Sequence, residues 1–339
     1  MSKRRLSEQQ KQRIQAARDA KTRRVRETGA TEVDDQDLGA EQQGLVVGHY
    51  GTFVEVEPYP LPCGETITRF PCHFRATLGV GLVTGDRVVW REGKSGHGVI
   101  EAIMERHSLL SRPDMRGVLK PVAANVDFIV LVVTPEPKPS AALIDRYLVA
   151  AELQQVEIRL LLNKIDLANA EERNALHELL TPYVAIGYPL WECSARTGEG
   201  MNELKEALDR HVCVFVGQSG VGKSSLVNAL LPEANAKVGE LSQASKLGRH
   251  TTTNAQLFHF AEGGSIIDSP GIREFGLWHL QRQQVADGFR EFQPYLGQCR
   301  FSDCQHRTEP GCALRAAVEA GEISATRMQS YFSLLEQVG

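Results

Sequence analysis

One octapeptide constrains this chain more than any other feature: Gly217-Gln218-Ser219-Gly220-Val221-Gly222-Lys223-Ser224, which fits G-x-x-x-x-G-K-[ST]. It follows an apolar run, Val212 to Val216, and opens a segment carrying Leu226, Ala229 and Leu230. A buried strand, a glycine turn and a helix N-terminus in that order hold a phosphate. The glycines let the backbone wrap the anion, and the N–H groups and helix dipole stabilise its charge. Lys223 reaches the β and γ oxygens, and Ser224 completes a magnesium shell. The run from Gly217 to Ser225 is therefore the candidate phosphate site.

Such a loop belongs on a parallel sheet, and the flanking sequence has the texture of one. Strand patterns at Asp127 to Val133, Glu157 to Leu162, Leu190 to Cys193, Val212 to Val216 and Ser265 to Ile267 alternate with helical patterns at 141–153, 170–180 and 201–208. Strands alternating with helices of this length predict a doubly wound sheet with helices on both faces.

Two further motifs sit where strands end. Asp268-Ser-Pro-Gly271 fits D-x-x-G, in which the Asp holds magnesium through water and the Gly amide meets the γ-phosphate. Asn163-Lys164-Ile165-Asp166 places a carboxylate that accepts from N1–H and N2–H of guanine, an edge adenine lacks; Asn163 meets N7 and Lys164 lays its stem over the base. Taken alone, this tetrad reads equally well as a strand-to-helix loop with Asp166 as an N-cap. The amides of Ser194 and Ala195, after the strand ending at Cys193, are positioned for guanine O6. Together the two segments make GTP, rather than ATP, the expected nucleotide.

The rest of the chain divides by composition. Residues 1 to 26 hold ten Lys or Arg against Glu8 and Asp19, a local charge of +8 within a chain whose net charge is −4. That asymmetry predicts a basic arm for a polyanion, and residues 1–38 lack the apolar side chains that would offset ordering entropy. Residues 39–110 carry short alternating segments at 44–49, 52–56, 66–70, 86–90 and 98–103, the spacing of a small five-stranded barrel of the oligonucleotide-binding type. An SH3-like barrel has the same texture. Ser111 to Pro121, with its two prolines, reads as a linker into a nucleotide domain at 111–283.

Residues 284–339 are helical and hold Cys299, Cys304, His306 and Cys312, spaced C-x4-C-x-H-x5-C. Three thiolates and an imidazole close a tetrahedral site with no open position for catalytic water, which predicts one structural zinc in a small helical domain. No apolar run approaches the ~20 residues of a membrane span, and no apolar h-region follows the first basic residues. The expectation is a cytoplasmic monomer without a membrane partner.

The order of the motifs is diagnostic. Base recognition (163–166 and 193–196) precedes the phosphate loop (217–224), a Thr-rich segment (251–253) and D-x-x-G (268–271), whereas in ordinary small GTPases the phosphate loop comes first and base recognition last. With a barrel before it and a Cys/His cluster after it, the chain resembles the bacterial ribosome small-subunit-dependent GTPase A family, whose GTPase domain is circularly permuted. The resemblance covers roughly residues 44–339. It implies three units: an OB-like β-barrel, a circularly permuted α/β P-loop GTPase with a doubly wound sheet, and a small α-helical zinc domain. It further implies hydrolysis of GTP to GDP, stimulated by the 30S subunit late in its maturation, through contacts with 16S rRNA.

Ile272 stands where Ras-type GTPases carry the water-orienting Gln. In the resembled family that task belongs to the His of Gly-Arg-His-Thr-Thr-Thr, which maps to His250, with Thr252 the second magnesium ligand beside Ser224. A contact between His250 and RNA accommodates the same residue. Two rival readings also fit the motifs: an RNA-binding assembly factor for which GTP is a structural ligand, and a signalling switch with a protein activator.

Overall fold

The computed structural model describes residues 38–60, 67–74, 78, 81–94, 96–114, 118–231, 255–260, 263–268 and 282–337. The basic segment up to residue 37 and the predicted site residues His250, Thr252 and Gly271 lie outside them.

Five strands open the described chain: β1 (Leu38–His49), β2 (Val54–Pro58), β3 (Phe70–Phe74), β4 (Arg87–Gly93) and β5 (Gly98–Ile103). β1 pairs with both β2 and β4, β2 with β3 and β4 with β5, all antiparallel, and a parallel β3–β5 pair closes the ring. That order is the Greek-key closure of an OB-type barrel, which decides against the SH3-like alternative. Alternate residues point inward, so Val54 and Val56, Val88 and Trp90, and Cys72 and Ile100 form one buried core. β3 lies downstream of the segment expected at 66–70. Pro71 occupies a strand position opposite Glu55, and a proline inside a run suppresses a strand prediction that tertiary pairing supports.

The segment expected to be a linker is instead a hairpin, β6 (Leu109–Pro113) with β7 (Leu119–Ala124). Its prolines are tolerated because Pro113 ends β6 and Pro121 lies at the register shift, in a two-stranded sheet whose outer edges need no donors. The hairpin is fastened to the barrel by Ala124 N–H donating to Thr84 O at 3.0 Å and by Asn125 Nδ2 donating to Gly85 O at 2.8 Å.

The nucleotide unit follows as β8 (Phe128–Val133), α1 (Ala141–Leu153), β9 (Glu157–Leu162), α2 (Ala170–Ala185), β10 (Leu190–Glu192), α3 (Met201–Leu208), β11 (Val212–Val216), α4 (Lys223–Leu230), β12 (Gln256–His259) and β13 (Ser265–Asp268). The sheet order is β10-β9-β8-β11-β13-β12, parallel except for β12. Alternation along the strands fills two cores. Ile129, Leu131 and Val133 of β8 face α1 and α2 residues such as Leu148 and Leu176, while Phe128, Val130 and Val132 face Leu204 of α3 and Leu226 of α4. Helices on both faces make this a doubly wound sheet, as the sequence predicts. β12, not anticipated from sequence, also pairs with β1, so barrel and nucleotide unit share one 11-stranded sheet.

The chain ends in α5 (Arg282–Asp287), a 3-10 turn (Arg290–Tyr295), α6 (Ala313–Glu319) and α7 (Ala325–Gln337). Phe289, Phe292, Tyr331 and Leu334 pack together and against Val149 of α1. Among the described residues no helix is long and apolar enough to cross a membrane.

Candidate functional site

The phosphate loop joins β11 to α4. Gly217, Gly220 and Gly222 have φ of 137°, 87° and 89°, in the region closed to most L-residues. At two of them a side chain is also excluded by contact: a Cβ on Gly217 would lie 2.4 Å from Val132 O, and one on Gly222 would lie 2.6 Å from Asn163 Nδ2. The pattern's glycines are thus demanded both by turn geometry and by the neighbouring strand and loop. Lys223 Nζ donates to Gly217 O and Gln218 O, each at 2.7 Å, which holds the ammonium against the loop. Ser224 and Ser225 follow in the first turn of α4. Amides and a cation gathered at a helix start are chemically suited to a polyphosphate.

The base tetrad leaves β9 and passes through Lys164 in left-handed conformation, φ 60°, into a 3-10 turn, Ile165–Leu167. Asn163 is buried, and its Nδ2 donates to Val221 O at 2.9 Å while its Oδ1 accepts from Ala195 N at 3.4 Å. Lys164 Nζ donates to Gly220 O. Residues 56 to 58 positions apart therefore clamp the base loop to the phosphate loop. The reordered motifs converge on one place because the sheet puts β9, β8 and β11 side by side.

Asp166 Oδ1 accepts from the Ser194 hydroxyl, and Oδ2 accepts from Arg196 Nε and Nη2 at 2.9 and 2.6 Å. The Ser194 hydroxyl and then the Arg196 guanidinium hold the Asp166 carboxyl below the ordinary carboxylate range. A carboxylate offers two acceptor oxygens, which is the chemical match for the paired N–H edge of guanine. Asp268 ends β13 directly opposite Gln256 of β12. The structure thus brings together Asn163, Lys164, Asp166, Ser194, Ala195 and the loop from Gly217 to Ser225, with Asp268 at the end of β13, the strand next to β11.

The second cluster lies between the 3-10 turn and α6. One ligand atom from each of Cys299, Cys304, His306 and Cys312 falls within 4.8 Å of the others. His306 Nδ1 stands 3.4 Å from Cys312 Sγ and 3.5 Å from Cys299 Sγ. A tetrahedral ion with bonds near 2.0 Å to nitrogen and 2.3 Å to sulfur has an N···S edge of about 3.5 Å, so these atoms fit one coordination sphere. Burial first, and then the neighbouring thiols of Cys312 and Cys299, push the Cys304 thiol up to about 12, and a bound cation is what would make it a thiolate.

Sequence reasoning missed Glu309, whose carboxylate accepts N–H groups from Gln305, Arg307 and Thr308 at 3.1, 2.9 and 3.0 Å and so shapes the metal loop. Its only trace in sequence is an acidic residue inside the ligand spacing. A cleft of about 310 Å³, lined by His49, Thr84, Arg112, Lys120, Pro121 and Ala255, opens between barrel and hairpin.

With the geometry in place, the likeness to known proteins is specific. The RsgA GTPase family model matches residues 103–278. The chain is 54% identical over 339 residues to the small ribosomal subunit biogenesis GTPase RsgA of Pseudomonas putida, covering 99% of this chain and 98% of that protein. It is 55% identical over 338 residues to the protein of the same name from Azotobacter vinelandii, with the same coverage. Among solved structures it resembles YjeQ from Thermotoga maritima, with a TM-score of 0.71 at 34% identity, over 88% of this chain and 99% of that one. It also resembles YloQ, described as a circularly permuted GTPase, with a TM-score of 0.69 at 25% identity, over 91% and 97% of the two chains.

Proposed function

This chain belongs to the RsgA GTPase family and is a GTP hydrolase, and from that premise we propose that it acts in biogenesis of the small ribosomal subunit, hydrolysing GTP when it engages the 30S particle through 16S rRNA. The observation that carries the nucleotide half of this reading is the clamp of Asn163 and Lys164 onto the phosphate loop, beside an Asp166 held anionic by Ser194 and Arg196. Base and polyphosphate receptors are then fixed at one spacing before nucleotide arrives, which is how positioning lowers a barrier. The basic arm and the OB-type barrel supply the polyanion half.

In the proposed reaction, water attacks the γ-phosphorus, the bond to the β–γ bridging oxygen breaks, and GDP and phosphate leave. Lys223 offsets charge on the transferred group, the amides from Gly217 to Ser225 hold the phosphates, and Gly271 meets the γ-phosphate. His250 orients the attacking water, since Ile272 offers no polar group. Ser224, Thr252 and Asp268 would hold magnesium, which would neutralise charge on the β- and γ-phosphates. Asp166, Asn163, Ser194 and Ala195 select guanine.

The Cys299, Cys304, His306 and Cys312 set supports one structural zinc, because no donor position is left open for chemistry. We further infer working units at 1–38, 39–110, 111–283 and 284–339 in a cytoplasmic monomer. GTP turnover by the full chain, with isolated 30S or 50S particles and with ATP as competitor, tests the reading. Expected is stimulation by 30S alone, of the order of 10^3-fold or more as for assisted GTPases, with ATP inert. Equal turnover with either particle, or none, would remove the partner.

A further inference from the structure

β12 is the place where barrel and nucleotide unit meet as backbone. Gln256 bridges Gly48 of β1 on one side and lies opposite Asp268 of β13 on the other. In sequence it is four residues past Thr252 and three past the end of the Thr-rich segment. One residue therefore touches both the barrel and the strand that delivers Asp268.

Its side chain adds a bond the backbone does not require. Gln256 Nε2 donates to Tyr50 Oη at 2.8 Å, and Tyr50 Oη donates to Glu55 Oε2 at 3.2 Å. Tyr50 belongs to the β1–β2 turn, where its ring stacks on Phe53 with centroids 5.0 Å apart. To reach Gln256 the ring lies across Gly48: a Cβ there would stand 3.0 Å from Tyr50 Cε2 and 3.1 Å from its hydroxyl oxygen. The β1 register shift between Val46 and Gly48 falls at this crossing. Bulges re-aim side chains, and here the re-aimed group spans two units.

The strand is also fastened at both ends. Thr84 Oγ1 donates to Ala255 O at 2.8 Å just before β12. At the far end His259 Nε2 donates to the buried Glu57 carboxylate at 2.6 Å, while Nδ1 meets Ser265 Oγ at 2.8 Å. A strand pinned at start and end by the barrel moves with the barrel.

We propose that Tyr50 and Gln256 are positioning residues that transmit engagement of the barrel by RNA to the hydrolytic site, through β12 and its neighbour on β13, Asp268. The proposal rests on the reading that the small subunit stimulates turnover. Coupling of this kind needs a shared element that both sites bias, and β12 is bonded both to the barrel and to the strand that ends at Asp268.

The test uses the full chain as wild type, Tyr50→Phe, Gln256→Ala and the double variant. Basal kcat, affinity for a fluorescent GDP analogue, affinity for 30S particles and kcat at saturating 30S are measured for each. Tyr50→Phe keeps the ring and removes only the hydroxyl. Expected is unchanged basal kcat, GDP affinity and 30S affinity, with 30S-stimulated kcat about tenfold lower in each single variant and no lower in the double, since both remove one bond. Stimulated kcat at the wild-type level in both single variants overturns the coupling. So does a loss confined to 30S affinity, which would make the pair an adhesive contact. A wild type that 30S does not stimulate removes the premise, a result distinct from either.

Discussion

Asp166 has two oxygens and two sets of donors, the Ser194 hydroxyl on one and the Arg196 guanidinium on the other. Guanine offers the same demand from its N1–H and N2–H. Replacing Asp166 with Asn puts an amide N–H where an acceptor is needed, so the charge-assisted bonds to both guanine N–H groups are lost or weakened. GTP affinity is therefore expected to fall by about 100-fold or more. Xanthosine triphosphate, with oxygen at C2 in place of the amine, should gain, because the Asn amide can donate to it. Competition against a fluorescent guanine nucleotide reads both; an Asn variant that keeps its preference for GTP over XTP would show that Asp166 does not read the base. At this scale the sequence was informative because the chemistry needs particular atoms: Asn163, Asp166, Gly217 and Gly222 are positions where a substitute lacks the bond or collides with a neighbour.

The helical unit is docked by elements rather than by the metal alone. Arg327 of α7, buried at 2% side-chain exposure, reaches Asp145 of α1 and bonds Glu291 at 2.6 Å. Burial pushes the Asp145 carboxyl above the ordinary range, with Arg327 the opposing influence. Arg327→Met leaves Asp145 buried without its cation, a change expected to cost about 3–5 kcal/mol. A carboxyl whose folded pKa is raised favours folding while protonated; that contribution is full below the unfolded pKa and is lost as pH rises through the folded value. Chemical denaturation should therefore show a larger deficit for the variant at about pH 8 than at about pH 5, and equal deficits would mean that Asp145 is not the group left uncompensated. None of this pairing was legible in sequence, because it joins residues 182 positions apart on helices whose docking no local pattern encodes. Local pattern did suffice for β9 and β11, apolar runs buried on both faces of the sheet, and for α1 and α3, whose apolar positions recur at helical spacing. It failed for β12 and for the β6–β7 hairpin. Gln256-Leu257-Phe258-His259 is too short and too polar at its ends to read as a strand, and its partners lie on both sides. In the hairpin, prolines that read as a break sit at a strand end and a register shift.

For the whole molecule, charge is the feature that local geometry does not explain. The first 26 residues carry +8, leaving −12 for the remaining 313. A particle with that division approaches a polyanion by one end, since the acidic body repels phosphate while the arm releases counterions from it. The arm should then contribute affinity and its salt dependence, while the rate of the chemical step stays with the loops around Lys223 and with β12. Removing residues 1–26 is expected to leave basal GTP turnover unchanged. In 30S binding measured across a salt series, the slope of log K against log salt should shrink by about 0.7–0.9 for each phosphate that the arm no longer neutralises, a total of several units if most of the arm is engaged. Stimulated kcat at saturating 30S should persist in the truncated chain, because the route from barrel to Asp268 does not pass through the arm. An unchanged salt slope would reduce the arm to a solubilising segment and place RNA attachment on the barrel, the hairpin cleft and the metal-bearing unit. Failure of stimulation at full occupancy would instead make the arm part of the activating interface, and barrel engagement alone would no longer suffice to set the rate.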